Sequence, residues 1–337
     1  MNLLENNLRP NETARRKTLG RIILILISGF ILIFAAILCW ITQPLIFVSS
    51  SRQPIPLTVP ANLKNHVRVL SSTFAPSGEN TAENLRKKAA YIKQEFEKTG
   101  AQVSEQKFFV SGIEYSNVIA TFGAESPEKI VIGAHYDTAG GFPGADDNSS
   151  GVAAILELSR IISEQKTSQN VELVCFALEE PPFFGTSQMG SYFYARSLRE
   201  HNQKIRLMIC LEMIGYFTDN SDSQDYPISL LALLYPSKGN FITVVGNFGN
   251  GLTARAIKSE MSSASDLPVC SINAPTFVAG VDFSDHRNFW QFGVDAVMIT
   301  DTAFYRNKNY HTPNDTMEKL DYDRLAKVVD AVFSVIK

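Results

Sequence analysis

Gly133-Ala-His-Tyr-Asp-Thr-Ala-Gly-Gly-Phe-Pro-Gly-Ala-Asp-Asp-Asn-Ser-Ser-Gly151 is the stretch on which the reading of this chain turns. The apolar run Ile130-Val131-Ile132 before it has the character of a buried parallel strand, and a helical pattern opens where it closes. Its acids and its histidine therefore sit on a strand-to-helix loop. Side chains alternate along an extended backbone, so His135 and Asp137, two residues apart, share a side. Asp137 can then accept the ring proton of His135 and decide which nitrogen faces outward. The plainer reading is a surface loop, because Gly, Pro, Asp, Asn and Ser are what turns need. The rest of the chain argues against it.

Downstream, a helix is expected over 149–163, with Val152, Ile155, Leu156 and Ile162 buried. Residues 171–178 form an almost unbroken apolar run, as a central strand buried on both faces does. A helix at 191–200 leads to a strand at 205–211. Then come a strand at 241–245, a helix at 252–261, a helical turn at 285–290, a strand at 296–300 and a closing helix at 322–336. Upstream, residues 80–98 read as an amphipathic helix. Asn80 caps it, Leu85, Ala89, Ile92 and Phe96 share a face, and Gly100 stops it. Short strands follow at 102–110 and 117–122. This order predicts an α/β fold of three layers, a mixed and mainly parallel sheet flanked by helices.

At 337 residues, 45% hydrophobic and 19% charged, the chain has a large core and apolar sequence to spare. A net charge of -3 without a basic patch argues against nucleic acid as a partner. Cys39, Cys175, Cys210 and Cys270 show no CxxC or zinc-finger spacing and indicate no disulfide framework. The spare apolar sequence is N-terminal: Ile22 to Ile41 is 20 residues without a charge. That suffices to cross about 30 Å of hydrocarbon. Arg15, Arg16, Lys17 and Arg21 precede it, and no basic residue follows before Arg52. The positive-inside rule therefore predicts a cytoplasmic tail at 1–20, a transmembrane anchor at 21–48, a linker at 49–60 and an extracytoplasmic domain at 61–337. A cleaved signal peptide is the competing reading, disfavoured by the length of the apolar run and by the lack of a clear cleavage site.

Acids at the ends of the expected strands carry the step from fold to chemistry. His135 and Asp137 follow one strand, Glu179 and Glu180 the next, and Glu212 a third. Ligands of open α/β sheets bind beyond the carboxyl ends of the strands. Gathering that many carboxylates in one place calls for a cation. Histidine with carboxylates and no cysteine suits zinc and also tolerates manganese or cobalt. Among the other histidines, His66 and His201 read as surface positions, and His286 as a residue that either supports the metal ligands or fixes its loop. His311 lies ahead of the last helix, where Asp315 either orients its ring or caps that helix with Thr316.

These residues resemble a zinc aminopeptidase family that includes bacterial leucyl aminopeptidases, with glutamate carboxypeptidases and glutaminyl cyclases as distant relatives. The resemblance covers about residues 60–337. It rests on His-x-Asp at 135–137, Gly-Ala-Asp-Asp-Asn-x-Ser-Gly at 144–151, Glu-Glu at 179–180, Leu-Glu-Met at 211–213 and Tyr-His-Thr-Pro-x-Asp-Thr at 310–316, in the family's order. By similarity, Asp147 bridges two zinc ions per chain. His135 and Glu212 complete one site, and Glu180 and His311 the other. The resemblance makes Glu179 the general base and Asp137 the carboxylate that orients His135. Many relatives have Asp where this chain has Glu212, which adds one methylene of reach. Some carry a Tyr just before Ser-Asp-His, and residues 280–283 contain none, so the oxyanion donor is left open between Tyr305 and Tyr310. Asp146 reads as a loop residue. The expected function is a membrane-anchored metallopeptidase acting on peptides as an aminopeptidase. The alternatives are a one-zinc glutaminyl-cyclase-like acyltransferase, which an intact set of five ligands disfavours, and a non-catalytic receptor-like module, which an intact Glu179 disfavours.

Overall fold

A computed structural model describes residues 9–44, 56–78, 81–123, 126 and 128–337, which fall into two units divided after Pro44. The first is one helix, α1 (Arg9–Thr42). Its segment Ala14–Thr42 has a stretch of mean hydropathy 3.2 and is long and apolar enough to cross a membrane. It ends at Thr42, where the sequence reading runs to 48; residues 45–50 lie outside the described ones.

The second unit is an eight-stranded sheet with helices on both faces. Its strands are β1 (Gln102–Val110), β2 (Ile113–Phe122), β3 (Glu128–His135), β4 (Val171–Phe176), β5 (Lys204–Leu211), β6 (Ile242–Gly246), β7 (Val269–Asn273) and β8 (Ala296–Thr300). They lie in the order β1-β2-β4-β3-β5-β8-β6-β7. The centre, β4-β3-β5-β8, is parallel, as is β6-β7, whereas β1-β2, β2-β4 and β6-β8 are antiparallel. The helices are α2 (Pro60–Arg68), α3 (Ala82–Lys98), α4 (Gly151–Gln165), α5 (Gly190–Glu200), α6 (Gly251–Ala264), α7 (His286–Gln291) and α8 (Tyr322–Ile336).

Period-two alternation splits each central strand between two cores. Ile130, Ile132, Leu173 and Ile209 pack with α2, α3, α4, α6 and α8, while Val131, Val174 and Met208 pack with α5 and α7. Three layers result, as expected. Leu85, Ala89, Ile92 and Phe96 of α3 and Val152, Ile155, Leu156 and Ile162 of α4 are all buried, and complete burial of such a side chain stabilises by about 1.5–3 kcal/mol. Some local readings needed correction. Helix α3 begins at Ala82, and its N-cap residue Thr81 accepts from the Gly78 N–H rather than from the helix; Asn80 lies outside the described residues. His66 is buried, with Nδ1 2.7 Å from the Tyr91 hydroxyl, whereas His201 is exposed as expected. Helix α8 is capped by Asp321, which accepts from the Arg324 N–H, and not by Asp315 or Thr316. Strand β7 and helix α2 lack a strong enough pattern to have been expected.

Candidate active site

Three neighbouring parallel strands end at one edge of the sheet, and each delivers its polar residues there. His135 is the last residue of β3, and Glu212 directly follows β5. Strand β4 stops at Phe176, and the chain turns through Leu178, held at φ 62°, into Glu179 and Glu180. Met213 (φ 46°) and His311 (φ 53°) also lie in the left-handed region, beside or at the same cluster. Non-glycine residues adopt that region at a cost that surrounding contacts must offset. Between β3 and α4, residues 145–150 form a wide, irregular helical turn in which Asp147 and Asn148 leave helical geometry. Gly144, at φ 64°, starts it, and a Cβ there would strike the Asp147 carbonyl oxygen.

The five residues expected to hold metal converge. His135 Nε2 lies 3.3 Å from Asp147 Oδ1, 3.3 Å from Glu212 Oε2 and 3.8 Å from Glu179 Oε2. His311 Nε2 lies 3.0 Å from the other Asp147 oxygen and 3.2 Å from Glu180 Oε2. His135, Asp147 and Glu212 thus form one group able to hold a metal ion, and Asp147, Glu180 and His311 another. A third group, His135, Glu179 and Glu180, overlaps both. All but His311 are buried.

The donor set fits a cation. Both ring nitrogens of His135, Nε2 of His311 and Oε1 of Glu180 are buried without a hydrogen-bond partner among the described residues, an arrangement a protein interior otherwise avoids. Burial raises the carboxyl pKa of Glu179, of Glu212 and of Glu180, the last to about 8, where Asp147 adds its charge. A divalent cation at the convergence would favour the ionised carboxylates. Histidine and carboxylate donors without sulfur suit zinc, which takes three protein ligands and keeps an open position in hydrolytic sites.

Around the cluster, backbone and side-chain contacts hold the donors in place. Asp137 accepts from the N–H groups of Glu179 and Glu180 at 3.1 and 3.0 Å, and its Oδ1 stands 3.4 Å from His135 Nδ1. Ser284 donates to Glu212 Oε2 at 2.6 Å. Asn148 Nδ2 donates to the Leu211 carbonyl at 2.8 Å and to Glu212 Oε2 at 3.2 Å, and its Oδ1 accepts from the N–H of Met213 at 3.2 Å. Asp315 neither orients His311 nor caps a helix. Its two oxygens accept the N–H groups of Asp146 and Asp147 at 3.0 and 3.1 Å, which fixes the turn that carries Asp147. Asp146 points away, accepting from Gly215 N–H at 3.0 Å and Asn307 Nδ2 at 2.8 Å. His286 is buried and donates from Nε2 to the Val281 carbonyl at 2.8 Å, fixing its own loop. Sequence reasoning did not single out Ser284 or Asn148. Asn148 stands inside the 144–151 motif, but only its partners in the fold, the Leu211 carbonyl, the Met213 N–H and Glu212, reveal what it does.

A cleft open to solvent adjoins the cluster, with Glu212 and Tyr310 in its lining. Much of the rest of its wall is apolar, including Phe241, Val245, Ile272, Val278 and Met298. Tyr310 stacks on the His311 ring at 3.7 Å. Burial, then the charges of Asp147, Glu180, Glu179 and Glu212, push its pKa up. Tyr305, the other candidate, commits its hydroxyl to the Ala279 carbonyl at 3.1 Å.

The chain is 42% identical over 323 residues to the Escherichia coli K12 protein YfbL, covering 92% of this chain and 98% of that one. It is 22% identical over 303 residues to leucine aminopeptidase 1 of Ajellomyces capsulatus H88, covering 80% of this chain and 73% of the relative. Among solved structures, BSAP, a zinc aminopeptidase from Bacillus subtilis, shares the fold with a TM-score of 0.65 at 15% identity, over 85% of this chain and 97% of that one. The profile of peptidase family M28 matches residues 117–336, a range that contains every site residue from His135 to His311. With that match spanning most of the folded unit and the strand-end cluster inside it, the chain belongs to peptidase family M28.

Proposed function

We propose that this chain is a membrane-anchored, dinuclear zinc aminopeptidase whose catalytic unit lies outside the cytoplasm. The observation that carries the reading is Asp147, whose two oxygens face His135 Nε2 and His311 Nε2 separately, so that one carboxylate serves two donor groups. His135 and Glu212 would complete one zinc site, and Glu180 and His311 the other. Zinc held there would polarise the scissile carbonyl and lower the pKa of a water. Glu179, buried beside the cluster, takes the proton of the attacking water and passes it to the leaving amine. Asp137 grips the backbone on which Glu179 stands and faces His135 Nδ1. Tyr310 donates its hydroxyl to the carbonyl oxygen as charge develops on it. The apolar cleft receives the side chain next to the scissile bond. Helix α1 serves as the anchor, with Arg15, Arg16, Lys17 and Arg21 of its N-terminal part on the cytoplasmic side, and residues 49–59, ahead of α2, as the linker.

Aminopeptidase activity on this family fold is tested with paired peptides that differ only in a free or an N-acetylated first residue. Release of the first residue from the free peptide alone is expected. Equal cleavage of both, or cleavage from the other end, would reject the aminopeptidase reading.

A further inference from the structure

Residues 227–234, Pro-Ile-Ser-Leu-Leu-Ala-Leu-Leu, present an anomaly on the surface of the folded unit. Ile228 is 50% exposed, Leu230 51%, Leu233 80% and Leu234 40%, while Leu231 alone is buried, at 7%. No charged residue lies between Asp225 and Lys238. The segment is a short 3-10 turn at Ser229–Leu233 held firmly from below. The Tyr226 and Tyr235 rings stack at 5.8 Å, the Tyr226 hydroxyl donates to the Pro236 carbonyl at 2.6 Å, and the Tyr235 hydroxyl donates to the Ser271 carbonyl at 2.7 Å. Its inner side, through Tyr226, Pro227, Leu231 and Tyr235, is a wall of the cleft. Its outer side offers leucines to water from a braced platform. A contiguous apolar surface of that kind marks a contact with another apolar phase.

We propose that this surface docks on a lipid bilayer, an inference that rests on α1 being a membrane anchor. Residues 43–59 join α1 to α2, and fully extended they reach at most about 60 Å. An anchored chain therefore keeps this unit within that distance of lipid, and leucines on an uncharged turn enter a bilayer interface by burying apolar area. Lacking charge of its own, the turn recognises acyl chains rather than a particular headgroup. Docking brings the 226–235 wall of the cleft to the lipid surface.

The test uses the full chain reconstituted in phosphatidylcholine vesicles with or without bromine on the acyl chains. Tryptophan fluorescence of Leu233→Trp is compared with that of the wild type, whose tryptophans are Trp40, in α1, and Trp290. Quenching of the wild-type protein by brominated lipid reports whether α1 is in the bilayer; the difference spectrum reports the turn. A blue-shifted, bromine-quenched difference spectrum, unchanged when anionic lipid is added, is the expected result. An unquenched, water-like difference spectrum with the wild type still quenched would overturn docking and leave the anchor standing. Absence of quenching in the wild type would remove the anchor and the docking with it. A blue shift without quenching, accompanied by a doubled mass in detergent, would assign the patch to a second copy of the chain and overturn the lipid reading.

Discussion

The carboxylate of Asp137 accepts the backbone N–H of Glu179 through Oδ1 at 3.1 Å and that of Glu180 through Oδ2 at 3.0 Å. One side chain two residues past the end of β3 thereby fixes the segment after β4, next to the left-handed turn at Leu178. Replacing Asp137 with Asn puts an amide N–H against a backbone N–H in a buried site. Loss of one such acceptor costs about 1–3 kcal/mol. Zinc affinity, read by competition with a chelator, is expected to fall about 10- to 100-fold, with kcat falling alongside.

Glu179 is assigned the proton transfer and not metal binding. Glu179→Gln keeps its size and hydrogen-bonding reach while removing the base. Activity is expected to drop about 10²- to 10⁴-fold with zinc content unchanged. Retained activity would reject the assignment, and lost zinc would move Glu179 into the ligand set, as its place in the third donor group allows.

Tyr310 differs from Tyr305 in that its ring stacks on His311, whereas the Tyr305 hydroxyl is committed to the Ala279 carbonyl. Tyr310→Phe is expected to lower kcat about 10²- to 10³-fold, the usual cost of one oxyanion donor, with KM and zinc content near wild type. Tyr305→Phe is expected to leave kcat within a few-fold. Reversal of the two results would reassign the donor.

Much of the site was legible because its donors sit at strand ends. The runs 130–134, 171–178 and 205–211 announce strands through β-branched and apolar residues, and the acids follow where each pattern stops. The closing helix was equally plain from its periodicity. What sequence could not show depends on contacts across the chain. Asp315 precedes a helix and resembles a cap, yet its partners are the N–H groups of residues 146 and 147, far away in sequence. Ser284 reaches Glu212 across 72 positions, and His66 finds Tyr91 across a helix pair. Polar residues of that kind look like surface residues until the fold supplies their partners.

The burial of His286 gives the fold a pH signature. Burial lowers its pKa to about 4 from the ordinary 6.5. Above pH 6.5 both folded and unfolded chains hold it neutral. Below that, the unfolded chain takes up a proton that the folded chain refuses, so stability falls as pH drops from about 6.5 toward 4, by up to about 1.4 kcal/mol per unit. Urea unfolding of wild type and His286→Gln at pH 7.5 and pH 5 should show a smaller acid loss in the variant. Equal losses would mean that His286 charges in the folded state.

The central claim, two zinc ions sharing Asp147 in a hydrolytic site, is tested most directly by counting metal against activity. Zinc per chain is measured by elemental analysis on wild type and Asp147→Ala, with hydrolysis of a panel of aminoacyl anilides before and after chelation. Close to two zinc ions in the wild type, chelator-sensitive cleavage, and loss of metal from both sites in Asp147→Ala are predicted. One zinc without cleavage, or an unchanged metal count in Asp147→Ala, would contradict the account.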